Sequence, residues 1–321
     1  MQLGLFTPVF GKLSLDAMLV ELKRYPQIRM LEIGTGGWPG TSHIDVDGLL
    51  ANRHFAREYL EKLSDAGLSI SALSCHGNPL HPQGYIATRD DTTFRRTVRL
   101  AELLKVPVVI TFSGCPGGSP KDSTPNWITA AWPPEYAESL AWQWEERLFP
   151  YWSEAAAFAN SCGVKVALEA HPGFCVYNTQ TLLRLRSVAG PSLGINLDPS
   201  HLWWQGMDIP QVISELGDAI FHVHAKDVFL NPPQIAKNGV LDTTGYQHMR
   251  QRSWNFRSVG WGHDALAWKT IVSSLRLSGY DYVMSIEHED ALASIDEGLS
   301  SAVNFLSNFL LQESPVEAWW T

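Results

Sequence analysis

The chain has 321 residues, of which 45% are hydrophobic and 18% are charged, so it can bury a large core and is not expected to be disordered. It carries 24 Lys and Arg against 33 Asp and Glu, and the resulting net charge of −9 argues against duplex nucleic acid as the main partner. No apolar run approaches about 18 residues, and no basic segment followed by an apolar run opens the chain, so we expect neither a membrane span nor a secretory signal.

Eight short apolar runs alternate with amphipathic stretches along the chain. In chain order the runs are Leu3–Phe6, Ile28–Ile33, Leu68–Leu73, Val106–Phe112, Val164–Leu168, Leu193–Leu197, Ile220–Ala225 and Tyr282–Ile286. The stretches with helical spacing of apolar residues are Leu15–Lys23, Asp47–Ala66, Asp91–Leu104, Ala137–Asn160, Thr179–Val188, Pro210–Leu216, Asp264–Leu277 and Ile295–Leu310. Runs nearly continuous in Val, Ile, Leu and Met are typical of parallel strands covered on both faces. The alternation therefore predicts an α/β fold, a single (β/α)8 (TIM) barrel domain over residues 1–321.

The connections between these elements refine the prediction. The glycines of Gly34–Gly37, after the second run, lack the GxGxxG spacing, so a dinucleotide-binding fold is not expected. Pro150 should kink the helix predicted over Ala137–Asn160 or divide it into two. The connections Ser113–Tyr136, after strand 4, and Phe229–His263, after strand 7, are unusually long, which is typical of functional lids.

Polar side chains stand at the ends of the last four runs: Glu169, Asp198, His224 and Glu287. The chemistry of a (β/α)8 barrel lies at the carboxyl ends of its strands, so we expect these groups to meet at the barrel mouth. Taken alone, each is better explained as a helix cap, an ion-pair partner or a core histidine, but four together in a low-dielectric mouth require a cation. His222 faces the same side as His224 and remains an alternative ligand. Three oxygens and one imidazole favour Mn²⁺, Co²⁺ or Mg²⁺, whereas Zn²⁺ more often recruits another His or Cys.

The same residues carry a resemblance to a known family. In order and strand position, Glu169, the turn Asp198-Pro199-Ser200-His201, His222-x-His224 and Glu287 resemble the xylose isomerase-like barrel family. That family includes ketose 3-epimerases, inosose isomerases and dehydratases, and proteins described as sugar phosphate isomerases/epimerases. The resemblance implies that Glu169, Asp198, His224 and Glu287 bind one divalent metal ion, with Mn²⁺ first and Co²⁺, Mg²⁺ or Zn²⁺ as alternatives. It also implies that the two glutamates form the acid–base pair and that His201 contacts the substrate.

These residues suit removal of a proton next to a sugar carbonyl. A metal chelating the carbonyl and the neighbouring hydroxyl would stabilise a metal-bound enediolate, while Glu169 and Glu287 transfer protons from opposite sides. This predicts a divalent-metal-dependent isomerase or epimerase of a sugar or sugar derivative. The alternative is a metal-dependent lyase or dehydratase that performs β-elimination on a keto-sugar or keto-glycoside, an outcome favoured by His171, which stands where the epimerases carry a carboxylate. A metal-dependent endonuclease and a non-catalytic polyol-binding barrel are the less favoured alternatives.

Six further side chains are candidate substrate contacts, namely His76, His171, His201, Lys226, Arg252 and Arg257. The alternatives are a turn for His76, orientation of ligating carboxylates for His171 and His201, an ion pair with Asp227 for Lys226, and a solvated loop for the arginines. The segment Arg252–Arg257 mixes cations with aromatic rings that could stack on a sugar. Three more tryptophans of predicted mouth loops, Trp38, Trp127 and Trp132, extend this aromatic surface, which favours a glycoside or another bulky polyol derivative.

The remaining expectations concern location and partners. The cysteines Cys75, Cys115, Cys162 and Cys175 form no CxxC pair in a chain long enough to fold without disulfides, which indicates reduced thiols in a cytoplasmic protein. We expect a small-molecule carbohydrate substrate and neither a nucleic acid nor a membrane as partner. By analogy with the family, a homo-oligomer, either a dimer or a tetramer, is an open expectation.

Overall fold

The computed structural model describes residues 1–320 and contains ten strands in that range. The strands are β1 (Gln2–Phe6), β2 (Ile28–Gly34), β3 (Ser69–Ser74), β4 (Val108–Phe112), β5 (Lys165–Glu169), β6 (Leu193–Leu197), β7 (Ile220–Ala225), β8 (Asp227–Leu230), β9 (Trp254–Arg257) and β10 (Val283–Ile286). Eight of them close a barrel in the order β1-β10-β7-β6-β5-β4-β3-β2, and every neighbouring pair is parallel. The other two, β8 and β9, form an antiparallel hairpin outside the barrel. The predicted (β/α)8 barrel is confirmed.

Helices surround the barrel and connect its strands. They are α1 (Leu15–Leu22), α2 (Val46–Ala51), α3 (Arg53–Asp65), α4 (Gly84–Leu104), α5 (Pro134–Trp142), α6 (Phe149–Ser161), α7 (Thr179–Ala189), α8 (Pro199–Trp203), α9 (Ile209–Leu216), α10 (Pro232–Asn238), α11 (Ala265–Leu277) and α12 (Ile295–Ser307). The single helix predicted over 47–66 is two helices, because Asn52 has extended backbone angles and its side chain accepts a hydrogen bond from His54 N at 2.9 Å. The helix predicted from Asp91 begins at Gly84. The apolar periodicity did not reveal its first turns, because Asp90 is a buried polar residue there and accepts a hydrogen bond from Asn78 N at 2.7 Å.

The predicted break at Pro150 lies at the start of a new helix. A π-helical segment, Gln143–Leu148, joins α5 to α6, and Pro150 stands in the first turn of α6, where a missing N–H costs little. The Gln143 amide is buried and donates to Gly117 O at 3.0 Å and to Asn126 O at 2.7 Å. The irregular turn therefore holds the long connection that follows β4, one of the two long connections predicted from the sequence.

The long connection after β7 is built on the hairpin of β8 and β9. Asp227, the first residue of β8, accepts hydrogen bonds from Gly260 N at 2.9 Å, from Gly262 N at 3.1 Å and from His263 Nδ1 at 2.7 Å. Gly262 is required for this approach, because a Cβ there would lie 2.2 Å from Val228 O. The buried Asp227 carboxylate therefore gathers both ends of the connection beside the barrel mouth.

The barrel interior changes character along its axis. β6 and β7 are buried at every residue, as expected for strands covered on both faces. Toward the carboxyl ends of the strands the buried side chains become charged, with Glu32, Glu169, His224 and Glu287 all under 7% exposed. Charged groups are rarely buried without partners, so this end of the barrel is where a functional site is expected.

Two expectations about the chain as a whole can be compared with the described residues. Within residues 1–320, no helix is long and apolar enough to cross a membrane. All four cysteines are buried and none forms a disulfide in that part of the chain.

Candidate active site

The four predicted metal ligands meet at the carboxyl end of the barrel. Glu169 ends β5, Asp198 follows β6, His224 is the next-to-last residue of β7, and Glu287 follows β10. One ligand atom from each lies within 4.8 Å of the others, and all four residues are buried. His224 Nδ1 lies 2.9 Å from Glu287 Oε2 and 3.4 Å from Glu169 Oε2. These separations are short enough for the four groups to share one ion.

Three of these buried ligand atoms have no hydrogen-bond partner among the described residues, namely Asp198 Oδ2, His224 Nδ1 and Glu287 Oε2. An unsatisfied buried polar atom costs about 1–3 kcal/mol, and more when it is charged. Other atoms of the same side chains are satisfied, since Asp198 Oδ1 accepts from Ser200 N at 2.8 Å and His224 Nε2 donates to Glu32 Oε2 at 2.8 Å. Carboxylate oxygens and an imidazole nitrogen that lie this close together, with ion pairs as their short contacts in place of hydrogen bonds, fit a divalent cation.

Lys226 brings a positive charge to the same place. Its Nζ lies 2.8 Å from Glu287 Oε2 and 2.9 Å from Asp198 Oδ2, as ion pairs whose angles are not those of hydrogen bonds. It also donates to Glu289 Oε2 at 3.4 Å. Lys226 therefore points into the mouth, whereas the carboxylate of its chain neighbour Asp227 bonds to Gly260 and His263, in the segment that follows β9.

The mutual attraction of these groups sets their ionisation. Burial alone would raise the pKa of Glu287, but Lys226 and His224 outweigh it and bring that pKa to about 2. Burial raises the pKa of Asp198, Lys226 opposes that effect, and the charge of Glu287 adds to it, so the pKa rises to about 6. Burial would lower the pKa of Lys226, yet Asp198 and Glu287 raise it well above its usual value. The centre thus combines ionised carboxylates with an ammonium group that stays charged.

Glu32, on β2, supports His224 from below and was not predicted from the sequence. Its carboxylate is fully buried and accepts from His224 Nε2 at 2.8 Å, from Ser285 Oγ at 3.1 Å and from Ser74 Oγ. A carboxylate on one imidazole nitrogen fixes the ring so that the other nitrogen, Nδ1, faces the centre. The signal in the sequence was one acidic residue inside the apolar run Ile28–Ile33.

Two of the candidate histidines hold Glu169. His76 Nε2 donates to Glu169 Oε2 at 3.0 Å, and His201 Nε2 donates to Glu169 Oε1 at 3.1 Å. Burial alone would raise the pKa of Glu169, but these hydrogen bonds outweigh it and hold the pKa well below its usual value. The third candidate, His171, lies beside them with its ring centroid 4.1 Å from that of His201, and burial lowers its pKa to about 3. His171 is therefore neutral near pH 7.

His222, the alternative ligand, lies in a different layer from the four. Its Nδ1 is bonded to Asn196 Oδ1 at 2.9 Å and its Nε2 to Ser71 Oγ at 3.3 Å. It belongs to a second group with metal-ligand spacing, together with Glu32 and His224. Both nitrogens of His222 are hydrogen-bonded, whereas His224 keeps Nδ1 free of hydrogen bonds. The geometry therefore favours His224 in the four-residue group.

The two candidate arginines bond to the loop rather than to the centre. Arg252 Nε donates to Trp254 O at 3.1 Å, and its guanidinium group lies over the rings of Tyr246 and Trp254. Arg257 Nε donates to Asp290 Oδ2 at 3.0 Å. Neither arginine lines the cavity above the four ligands.

That cavity has a volume of about 720 Å³ and opens at the barrel mouth. Glu169, Glu287 and Lys226 form part of its lining, together with His76 and His171. The rest of the lining includes the rings of Trp38, Phe112, Phe174, Tyr246 and Phe256. Cavities of this size, with a few polar groups among apolar walls, are typical of small-molecule sites. Of the predicted aromatic residues, Trp38 and Phe256 line it, while Trp127 and Trp254 line an adjoining cavity and Trp132 is exposed.

Comparisons with known proteins agree with this architecture. The model of a family described as "Xylose isomerase-like TIM barrel" matches residues 31–308. The uncharacterised protein YfiH of Bacillus subtilis (strain 168) is 40% identical over 315 residues, which cover 97% of this chain and 100% of that protein. The name of that relative states no activity, so the match supports the family assignment but not a particular reaction.

Solved structures share the fold at low identity. A D-tagatose 3-epimerase-like protein superposes with a TM-score of 0.63 at 20% identity, covering 96% of this chain and 98% of its own. The probable 3-DHS dehydratase AsbF of Bacillus anthracis gives 0.65 at 19% identity, covering 96% and 99%. The IolI protein with a bound zinc atom gives 0.63 at 19% identity, with the same coverage. At these identities the likeness establishes the barrel alone.

Proposed function

This chain belongs to the xylose isomerase-like TIM barrel family, and from that premise we propose that it is a divalent-metal-dependent isomerase or epimerase of a sugar or sugar derivative. The observation that carries the proposal is the meeting of two buried glutamates with the buried Asp198 and His224 at one cavity, with ligand atoms within 4.8 Å of one another. The D-tagatose 3-epimerase-like protein and the probable 3-DHS dehydratase that share the fold support this chemical class.

Glu169, Asp198, His224 and Glu287 would hold the ion, with Mn²⁺ the first choice and Co²⁺, Mg²⁺ or Zn²⁺ as alternatives. When bound, the cation would supply Lewis-acid stabilisation of the charge that develops on a sugar carbonyl as the neighbouring carbon loses its proton. The zinc in the IolI structure supports a metal in this barrel type without identifying the metal here.

The two glutamates would divide the proton transfer. They come from β5 and from the end of β10, and His224 Nδ1 lies between their Oε2 atoms. The depressed pKa of each keeps it ionised near pH 7, as a base must be. His76 and His201 fix the Glu169 carboxylate, whereas Glu287 Oε2 has only the ion pairs with His224 and Lys226. We therefore assign proton removal to one glutamate and proton return to the other, with Lys226 and His171 contacting substrate oxygens.

One observation favours a lyase as the second candidate. The Lys226 ammonium, 2.8 Å from Glu287 Oε2, is placed to protonate an oxygen that leaves the neighbouring carbon. Proton removal by a glutamate would then be followed by β-elimination from a keto-sugar or keto-glycoside, giving an enone. The dehydratase that shares the fold is consistent with this outcome.

The test begins with the metal content of the purified protein. Asp198→Ala and His224→Gln should each remove the ion, while His222→Gln should retain it. Metal-loaded protein is then incubated in D₂O with a panel of keto-sugars and keto-glycosides, and deuterium uptake next to the carbonyl is measured. An epimer or isomer identifies the first candidate, and an enone identifies the second.

Glu169→Gln and Glu287→Gln should each reduce deuterium uptake by roughly 10²–10⁴-fold, the usual contribution of a positioned acid or base. Glu138→Gln, an exposed glutamate of α5, is the matched control and should be unchanged. Full uptake by Glu287→Gln would exclude the two-glutamate mechanism. A metal-loaded protein that exchanges no proton with any member of the panel would favour a polyol-binding barrel instead. The cytoplasmic location and the dimer or tetramer remain predictions.

A further inference from the structure

The loop after β10 carries the wrong charge for a phosphate. In (β/α)8 barrels, phosphate groups are frequently bound by the loops after the last two barrel strands. Here the last of these loops presents Glu287, Glu289 and Asp290, and all three line the cavity. Near pH 7 a phosphate would bring about one and a half to two further negative charges. This part of the mouth would therefore repel it.

The cations beside those carboxylates are already paired with them, so none is left to bind a phosphate. Lys226 is the one Lys or Arg that lines the cavity among the described residues, and its ammonium group already faces Asp198, Glu287 and Glu289. The nearest arginines by sequence are also engaged, Arg257 with Asp290 and Arg252 with carbonyl oxygens of its own loop. A divalent ion in the centre would be shared by carboxylates as well. The electrostatics therefore favour a substrate that carries no anionic group.

The outer part of the cavity is aromatic. We call Trp38, Phe112, Phe174, Tyr246 and Phe256 the aromatic rim. Phe112 and Phe174 stack at 4.2 Å between centroids with planes 20° apart, and Tyr246 and Phe256 stack at 6.0 Å with the same angle. The first pair comes from β4 and the connection after β5, and the second from the connection after β7. Ring faces thus approach the cavity from separate parts of the mouth.

The space exceeds what a single sugar ring needs. The main cavity of about 720 Å³ is adjoined by a second cavity of about 440 Å³, which shares His171, Tyr246 and Phe256 as lining residues. Trp204 and Trp254 also line the second cavity and stack at 4.8 Å with planes 6° apart. Planar apolar groups and the apolar faces of sugars bind such ring surfaces. Because Trp204 and Trp254 are themselves buried, an apolar substituent on the substrate would cover mainly the exposed rings of Trp38 and Tyr246.

From these two features we infer that the substrate is an unphosphorylated sugar derivative that carries an apolar or aromatic substituent, such as an aryl glycoside. The sugar lies over the centre, and the substituent lies against the aromatic rim. The inference rests on the proposed function for the position of the sugar, but it concerns binding and can be tested without turnover.

The test compares ligands that share one sugar and differ in one group. For glucose, galactose and mannose, isothermal titration calorimetry on Mn²⁺-loaded protein is performed with the methyl glycoside, the phenyl glycoside and the 6-phosphate of the methyl glycoside. For at least one sugar the phenyl glycoside should bind roughly three- to tenfold more tightly than the methyl glycoside, the range expected for an aromatic contact. The 6-phosphates should bind most weakly. The inference is overturned if, for every sugar, the phenyl glycoside binds no more tightly than the methyl glycoside. It is also overturned if a 6-phosphate binds more tightly than both glycosides.

Two variants connect the affinities to the named residues. Phe174→Leu should reduce the gain of the phenyl glycoside to less than about twofold by removing one stacked ring, whereas Trp132→Leu, an exposed aromatic outside both cavities, should leave it intact. Glu289→Gln removes one repulsive carboxylate and should strengthen 6-phosphate binding roughly several-fold. The inference would be contradicted if Phe174→Leu kept the full phenyl gain and Glu289→Gln left 6-phosphate binding unchanged. This outcome would hold even if the control Trp132→Leu failed to fold.

Failure of this inference can be told apart from failure of the proposed function. A phenyl gain without deuterium uptake from any keto-glycoside would remove the proposed reaction and keep the inferred ligand class. Deuterium uptake that is equally fast with a bare or phosphorylated sugar would keep the reaction and remove the ligand class.

Discussion

The barrel mouth has two regions of opposite character. The charged floor consists of Glu169, Asp198, His224, Lys226 and Glu287, which stand at strand ends and are all buried. The aromatic rim stands above it, largely on connections, and Trp38 and Tyr246 are 60% and 57% exposed. Floor groups are held by partners from several strands, as when His224 bonds to Glu32 of β2. The floor is therefore suited to fixed chemistry, and the rim to selecting what reaches it.

This contrast makes a general prediction about substitutions. Changes in the floor should alter ion binding, proton transfer and the stability of the metal-free protein. Changes in the rim should alter affinity for the organic ligand and leave ion binding intact.

Lys226→Met should produce the largest effect on stability. Lys226 is 2% exposed and faces the carboxylates of Asp198 and Glu287, so its removal leaves two buried negative charges close together. Breaking a buried ion pair from one side costs about 3–5 kcal/mol. We expect the free energy of unfolding of the metal-free protein, measured by urea denaturation, to fall by about that amount.

Added Mn²⁺ should restore part of the loss, because a bound cation replaces the missing charge and stabilises the folded state. Lys237→Met, on the exposed side of α10, is the control and should change the unfolding free energy little. Equal stability of Lys226→Met and the unsubstituted protein would mean that the ammonium group does not compensate the floor carboxylates.

Glu32→Gln should weaken ion binding without removing a ligand. The carboxylate accepts from His224 Nε2 at 2.8 Å and so orients Nδ1 toward the centre. Loss of such a partner costs roughly 10–100-fold in metal affinity, or about 1.4–2.8 kcal/mol. Calorimetric titration of the metal-free protein with Mn²⁺ measures the change. Ser285→Ala, which removes only a donor to Glu32 at 3.1 Å, should have a smaller effect. Identical Mn²⁺ affinity in Glu32→Gln would show that His224 needs no orienting carboxylate.

The contrast between floor and rim also explains what the sequence could predict. The four proposed ligands of the floor could be recognised because each stands at the end of an apolar run, and the carboxyl ends of parallel strands meet at one place. The barrel followed from the same runs, and the structure confirms it. In a (β/α)8 barrel, a residue that follows a strand in the sequence lies at the barrel mouth in the structure, so the sequence pattern predicts its position.

Glu32 could not be predicted in this way, because its role depends on a contact with His224, 192 residues away. The hairpin was missed for a related reason, since β8 and β9 pair across a long connection that the sequence marked only as a loop. Tyr246 and Phe174 lie in connections without periodic pattern, so their place in the rim depends on how those connections fold. The sequence therefore predicted where the floor residues meet, but of the rim it predicted only Trp38 and Phe256.

Arg252→Gln should have the smallest effect and should be confined to the rim. The Arg252 guanidinium lies 4.1 Å from the ring centroid of Tyr246 and 4.6 Å from that of Trp254, so it supports the Tyr246 ring of the rim, and Arg252 also lines the second cavity. A cation–π contact is worth about 0.5–2 kcal/mol, which corresponds to roughly two- to thirtyfold in affinity if all of it positions the ring. We expect phenyl glycoside binding to weaken within that range and Mn²⁺ affinity to stay unchanged. If the arginine instead contacts the substrate directly, as the sequence alone predicted, Arg252→Gln would weaken binding of the 6-phosphates more than that of the phenyl glycosides. A loss of Mn²⁺ affinity would show that rim and floor are coupled, because the guanidinium has no contact with any of the four ligands.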